Sequence, residues 1–409
     1  MEKTISQKMQ EAVTSGVFPG AVLLVSHKGN ICFHKSFGFA QHIPNKVSLT
    51  LNTLFDLASL TKPLSTTAAM ANLVAAQQIR LNDPVSKFIP GFNLGSKKKV
   101  TLAHLLHHSS GLPAWKPYYE EIILQNKTHR GFLGSDLAKQ KVYEMASAES
   151  LINTPGTTSL YSDIGFILLG AIIENVVSQP LHRFCEDQIF SKLKCKKTGF
   201  PLLGKTIKGT VAATENCPWR KKVICGEVHD DNAYAMGGAA GHAGLFSTAK
   251  EVWLLVADWM DSIKGEGSID PLLAKLFVTK KRLPKGTSFG LGWDSPQRGA
   301  ARTIRQRAEA ITTATQSIPA TRRARCRVGR GKDTDILQMK SPKSAFGQFS
   351  SSKSFGHLGF TGTSIFADCV NDLVIILLSN RVHPTRNNDK IKMFRPEIHD
   401  LIFKEVLGG

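Results

Sequence analysis

The stretch "DLASLTKPLST", Asp56 to Thr66, decides how this chain is read. It places Ser59 three residues before Lys62, at the head of a long helical pattern. On a helix, residues i and i+3 share a face, with Cβ atoms about 5–6 Å apart. A hydroxyl and an amine in that relation meet without closing a loop. Serine becomes a nucleophile when a neighbour takes its proton, and a buried lysine can do so. Asp56 suits the N-cap, which leaves backbone N–H groups beside Ser59. Pro63 falls in the first turn, where a missing N–H is tolerated. Alone, however, the pair reads better as an exposed helix start, because Ser-x-x-Lys recurs by chance.

Two further segments bear on the choice. "NTPGTTSLYSDIGFILLG" (Asn153–Gly170) sets Tyr161-Ser162-Asp163 just before an apolar helix. Read by itself it is a capped helix with a packing tyrosine. "FGHLGFTGTSIFAD" (Phe355–Asp368) is a glycine-rich turn opening a strand, and His357 in it needs no role beyond a hydrogen bond to a neighbour. Each bland reading stands separately. Their conjunction, in this order, does not.

Ser-x-x-Lys, then Tyr-x-Asn about a hundred residues later, then a Lys/His-Thr-Gly strand, is the signature of the serine β-lactamase and penicillin-binding protein superfamily. This chain resembles it, most closely the branch holding class C β-lactamases, DD-peptidases and related esterases. "TLAHLLHHSSGLPAW" (Thr101–Trp115), "GGAAGHAGLFSTAKEV" (Gly237–Val252) and "TGTSIFADCVNDLVIILLSNRVHPTR" (Thr361–Arg386) are similar to that branch as well. The resemblance spans nearly everything except residues 298–345. It implies an α+β fold: an α/β sandwich with a central antiparallel sheet, and a helical subdomain beside it. Ser59 would be the acylated nucleophile, with Lys62 and Tyr161 moving its proton. Lys62 would be largely neutral or share that proton. Backbone N–H groups of Ser59 and Phe360 would form the oxyanion hole. Asp163, His357, Gly359 and Phe360 would line the substrate side.

Departures from the pattern matter. Asp163 stands for the usual Asn, turning an amide donor into a carboxylate. His357 stands for the Lys of most β-lactamases, and Leu358 for a Thr whose hydroxyl would hold a substrate carboxylate. All three weaken anion recognition, so the expected activity is ester, amide or D-amino-acid peptide hydrolysis with poor β-lactam turnover. The alternative is a catalytically weak member acting as a binding or scaffold protein.

Outward from these motifs, the 409 residues are 42% hydrophobic and 21% charged, a globular composition with ample apolar surface for a core. Two apolar runs around Lys28-Gly29-Asn30 predict a hairpin, and "EKTISQKMQEAV" predicts an amphipathic helix with Ile5, Met9 and Val13 on one face. Helix is expected from Ser59 to about Ile79 and through much of the middle. Strands return with "SFGLGWD", "FTGTSIFADC" and "DLVIILLSN", before a final helix. The whole is expected to be one catalytic domain, with residues 1–58 and 270–409 building the sheet subdomain and 59–269 the helical one.

The net charge is +20, and Arg298–Lys343 supplies twelve Lys/Arg against three acidic residues. That segment has few large apolar residues and no aromatic one, so disorder is expected over 298–345, with an anion- or nucleic-acid-binding arm as its functional reading. Seven scattered cysteines and an N-terminus without signal-peptide features favour reduced thiols and the cytoplasm. The longest apolar run, from Phe166 to Val177, is interrupted by Glu174 and too short to span a bilayer. No metal or cofactor is expected: His229, Asp230, Asp231 and His242 could be imagined as a zinc set, but polar loop roles fit them better. Gly286-Thr287-Ser288-Phe289-Gly290 matches a hydrolase elbow yet lacks the flanking strand and helix. The sequence does not fix an oligomeric state.

Overall fold

The computed structural model describes residues 1–205, 207–280, 284, 287–295 and 344–408. The basic segment Arg298–Lys343, with the disorder and binding arm expected of it, lies outside them. Helix α1 (Glu2–Thr14) leads into strands β1 (Gly20–His27), β2 (Asn30–Gln41) and β3 (Val47–Ser48). The chain then leaves the sheet, and α2 (Ala68–Ala75), α3 (Asp163–Val177) and α4 (Ala249–Lys264) belong to the long excursion that follows. It returns as β4 (Ser354–Leu358), β5 (Ser364–Asp368), β6 (Leu373–Ser379) and helix α5 (Ile391–Leu407). The strands form one antiparallel sheet in the order β3-β2-β1-β6-β5-β4. This is the α+β architecture the motifs imply.

Alternation along the strands explains the layering. From β1 and β6, Val22, Leu24, Ile376 and Leu378 join the larger core beneath the helical excursion. Their neighbours Ala21, Leu23, Val25, Ile375 and Leu377 face the opposite way, onto Ile5 and Met9 of α1 and Ile398 and Ile402 of α5. With both faces covered, these strands read as unbroken apolar runs. The β1–β2 hairpin turns through Lys28 and Gly29, both with positive φ (51° and 74°), the geometry that fits a two-residue loop to the strand twist.

Two local expectations fail for identifiable reasons. The helix expected from Ser59 is three pieces: a tight 3₁₀ turn Ala58–Leu60, a wide π-type turn Lys62–Thr67 and only then α2. Pro63 cannot donate a backbone bond, and such irregular turns gather at functional sites. "SFGLGWD" is not a strand but a reversal. Gly292 has φ +84°, the Gly290 N–H donates to the Trp293 carbonyl, and only Asp294 bridges to Gly356 of β4. Among the described residues, no single helix is long and apolar enough to cross a membrane.

Candidate active site

Ser59 sits where the chain passes from a short pairing of Phe55–Asp56 with Phe246–Ser247 into the 3₁₀ turn. Ala58, just before it, holds a left-handed φ of +47°, a conformation that costs energy for a residue with a Cβ. Asp56 offsets this. Its Oδ1 accepts the Ala58 N–H at 2.8 Å, and its Oδ2 accepts the His229 N–H at 2.6 Å. It therefore fastens the turn from two residues upstream rather than as a helix cap. Burial pushes the Asp56 carboxyl above its ordinary range, against the pull of those two N–H groups. Ser59 itself is buried.

Lys62 is completely buried and is the hub of the site. Its Nζ lies 3.2 Å from Ser59 Oγ, 2.9 Å from the His242 carbonyl and 2.8 Å from Asp163 Oδ1. It also stands 5.1 Å from the centroid of the Tyr161 ring and 5.6 Å from that of Phe166. Donating two N–H groups to Asp163 and to the His242 carbonyl leaves the third direction of a neutral amine, its lone pair, facing Ser59. An ammonium in the same place would donate there instead. The arrangement suits a proton that moves between serine and lysine.

Asp163 and Tyr161 arrive together because α3 begins between them. Ser162 caps that helix, its Oγ accepting the Gly165 N–H at 3.2 Å. The cap leaves Tyr161 outside the helix and aims Asp163, in the first turn, at Lys62. Asp163, expected on the substrate side, is thus engaged with the lysine and buried. Behind it, His242 Nε2 meets Asp230 Oδ1 at 2.8 Å. Burial works against the Asp230 carboxylate, but His242, the Ala233 N–H and Lys62 together hold it below the usual range.

The opposite wall is the turn after β4. The His357 ring lies 6.0 Å from the Tyr161 ring, centroid to centroid, with Nδ1 3.0 Å from the Leu358 carbonyl. The Gly359 N–H donates to the Thr363 carbonyl at 2.7 Å, and a Cβ there would fall 2.0 Å from Thr363 Oγ1 and 2.7 Å from the Leu57 carbonyl. Gly359 therefore lets the turn close against the serine segment. Thr361 and Thr363 complete the seam by donating their hydroxyls to the carbonyls of Asp56 and Leu57. Ser59 and the Phe360 turn are in this way tied through two adjacent residues.

Sequence reasoning left several neighbours out. His108 stacks on Tyr161 at 4.5 Å and accepts the Ser162 N–H on Nδ1 at 3.0 Å. It holds a left-handed φ (+55°) in the "HHSSG" bend. Arg381 and His229 flank Phe360, a placement that nothing in the sequence near either residue pointed to. His229, Asp230, Asp231 and His242 are engaged with Glu215, His242, Arg220 and Asp230 respectively. No His, Cys, Asp and Glu group among the described residues is arranged to hold a metal ion. Ser288 is buried in the Phe289–Asp294 reversal, where its carbonyl accepts from Ser295, without the strand and helix of a hydrolase elbow.

Residues 2–399 match the family model described as Beta-lactamase, and the chain belongs to that family. A curated protein of Salmonella typhi named "Putative D-alanyl-D-alanine carboxypeptidase" is 32% identical over 94% of this chain and 83% of its own. Among solved structures, EstCE1, described as a hydrolase with promiscuous acyltransferase activity, aligns with a TM-score of 0.68 at 19% identity, covering 98% of each chain. A class C β-lactamase from Rhodobacter sphaeroides aligns with a TM-score of 0.64 at 18% identity, covering 98% of this chain and all of the other. At such identities the solved structures speak for the fold. The family and its curated relatives make this chain a serine hydrolase.

Proposed function

We propose that the protein hydrolyses small esters and short D-amino-acid peptides through an acyl-enzyme on Ser59. The observation that carries this is the position of Lys62 Nζ, 3.2 Å from Ser59 Oγ, beside the Tyr161 ring and fully shielded from water. In the proposed cycle Ser59 Oγ bonds to the substrate carbonyl carbon while its proton passes to Lys62 and Tyr161. The N–H groups of Ser59 and Phe360 take up the oxyanion. Tyr161 returns the proton to the departing alcohol or amine as its bond to carbon breaks. Water then adds to the ester, giving its proton to the same pair, and Ser59 leaves with it. His357 forms the strand-side wall.

The name of the Salmonella relative supports the D-peptide half of this reading. Leu358, where a hydroxyl would hold a β-lactam carboxylate, supports poor β-lactam turnover. We place the enzyme in a reducing compartment such as the cytoplasm, because Cys185, Cys195 and Cys217 are free thiols sealed in the interior.

The test is labelling of purified protein by a fluorophosphonate and a fluorescent penicillin, followed by rates on p-nitrophenyl esters, D-alanyl peptides and a chromogenic cephalosporin. Labelling that disappears in Ser59→Ala, with esters or D-peptides outpacing the cephalosporin, is the expected result. No label at saturation would favour a scaffold role. A cephalosporin turned over as fast as esters would overturn the substrate class.

A further inference from the structure

The residue proposed to donate the second oxyanion hydrogen bond is gripped from outside the site. The Phe360 carbonyl accepts from Arg381 Nε at 3.0 Å and Nη2 at 2.7 Å, a two-pronged hold on one oxygen. The same guanidinium lies 4.8 Å from the centroid of the Phe360 ring, and the His229 imidazole stacks on that ring at 5.6 Å and 23°. His229 is itself held by Glu215, 3.2 Å from Nε2, and Glu215 is gripped by Arg386 through two nitrogens. The Gly359 carbonyl accepts the Gly362 N–H at 3.1 Å. In a trans peptide C=O and N–H point opposite ways, so this bond directs the Phe360 N–H out of the turn.

We propose that Arg381, with His229, is a positioning residue for the oxyanion hole: it fixes Phe360 so that its N–H holds its aim while charge develops on the substrate oxygen. This rests on the acyl-enzyme reading above. Arg381 is nearly buried, and its Nη1 also reaches the carbonyls of Arg386 and Asn388 at 3.1 and 2.7 Å. Four bonds in two directions require the planar fork of a guanidinium, which one lysine nitrogen cannot reproduce. A preorganised donor acts because it need not reorient as the oxyanion forms. Releasing the carbonyl and the ring would leave the N–H present but poorly aimed.

The experiment compares Arg381→Ala, Arg381→Lys and His229→Gln with the wild type. It measures kcat and KM on a p-nitrophenyl ester, affinity for phenylboronic acid, whose adduct places an anionic oxygen in the hole, and recovery by added guanidinium ion. For Arg381→Ala we expect kcat to fall about 10- to 100-fold, less than the loss of a whole donor, with KM nearly unchanged. Boronate affinity should fall by a similar factor, and guanidinium should restore part of kcat. A lowered melting temperature with kcat per labelled site and boronate affinity both unchanged would overturn the proposal. Should Arg381→Ala fail to fold, the lysine and glutamine variants carry the same readouts, and unchanged boronate affinity in both overturns it. A wild type unlabelled at Ser59 removes the underlying reaction and the clamp with it. A labelled wild type with unaltered variants removes the clamp alone.

Discussion

The two walls of the cleft are built on different physics. The helical wall is ionic: Lys62 is completely buried against Asp163, with the Asp230–His242 pair behind it. The strand wall is mostly neutral backbone, its turn stitched to Asp56 and Leu57 by hydroxyls and braced on Phe360 by Arg381 and His229. On the first wall the groups that would do chemistry also balance charge, so activity and stability are entangled. On the second, alignment and stability can be pulled apart.

The hardest blow to this contrast comes from the serine. Ser59→Ala should abolish labelling and lower ester hydrolysis by about 10⁴-fold or more, with little change in melting temperature. Lys62→Ala should remove activity as well, yet cost about 3–5 kcal/mol of stability by leaving buried carboxylate charge uncompensated. Adding Asp163→Asn should recover much of that stability in a denaturant titration while hydrolysis stays absent. If the double variant is no more stable than the single, the ionic account of this wall is wrong.

Smaller effects sharpen the comparison. Burial would raise the Glu215 carboxyl, but the hydrogen bond from His229 and the ion pair with Arg386 bring it down to about 2 from an ordinary 4.5. A lowered folded-state value contributes stability that is complete above the unfolded value and disappears as pH falls from about 4.5 through 2. Glu215→Gln should therefore cost on the order of 2–3 kcal/mol at pH 7 and almost nothing near pH 2, read by melting at each pH. Gly359→Ala forces a Cβ onto Thr363 and Leu57, and should cost about 1–3 kcal/mol with a fall in kcat. Asp163→Asn alone is read in the pH profile rather than in the maximal rate. Removing a negative charge from beside Lys62 makes its proton easier to lose, so the rising limb of kcat/KM should move to lower pH by about one unit. A limb that stays put would detach Asp163 from the lysine's chemistry.

What was legible in the sequence was whatever short range sets. Ser59 and Lys62 are paired by helical spacing, Tyr161 and Asp163 by a cap, and the first hairpin by a Lys-Gly turn. Unbroken apolar runs marked the strands of the sheet. The overlooked residues act at long range. Arg381 reaches Phe360 across the end of the sheet, and His108 reaches Tyr161 from a bend more than fifty residues earlier. The breakdown of the helix after Ser59 also escaped the pattern, because apolar periodicity does not distinguish an α turn from a wider one. The Asp163 substitution was visible, but its partner was not: only the packed α3 shows that the carboxylate meets the lysine.

The register of the central strands has a consequence for how the molecule comes into being. Ala21 pairs with Ser379, joining strands that lie far apart in the sequence. A nascent polypeptide that has emerged past residue 340 already contains Ser59, Lys62 and Tyr161, but neither β4 nor the Phe360 turn. Contacts of such sequence separation form late. The proposed reaction would therefore have no oxyanion donor on its strand side until β4 and the Phe360 turn have been made and have paired with β5, however early the serine, lysine and tyrosine were in place.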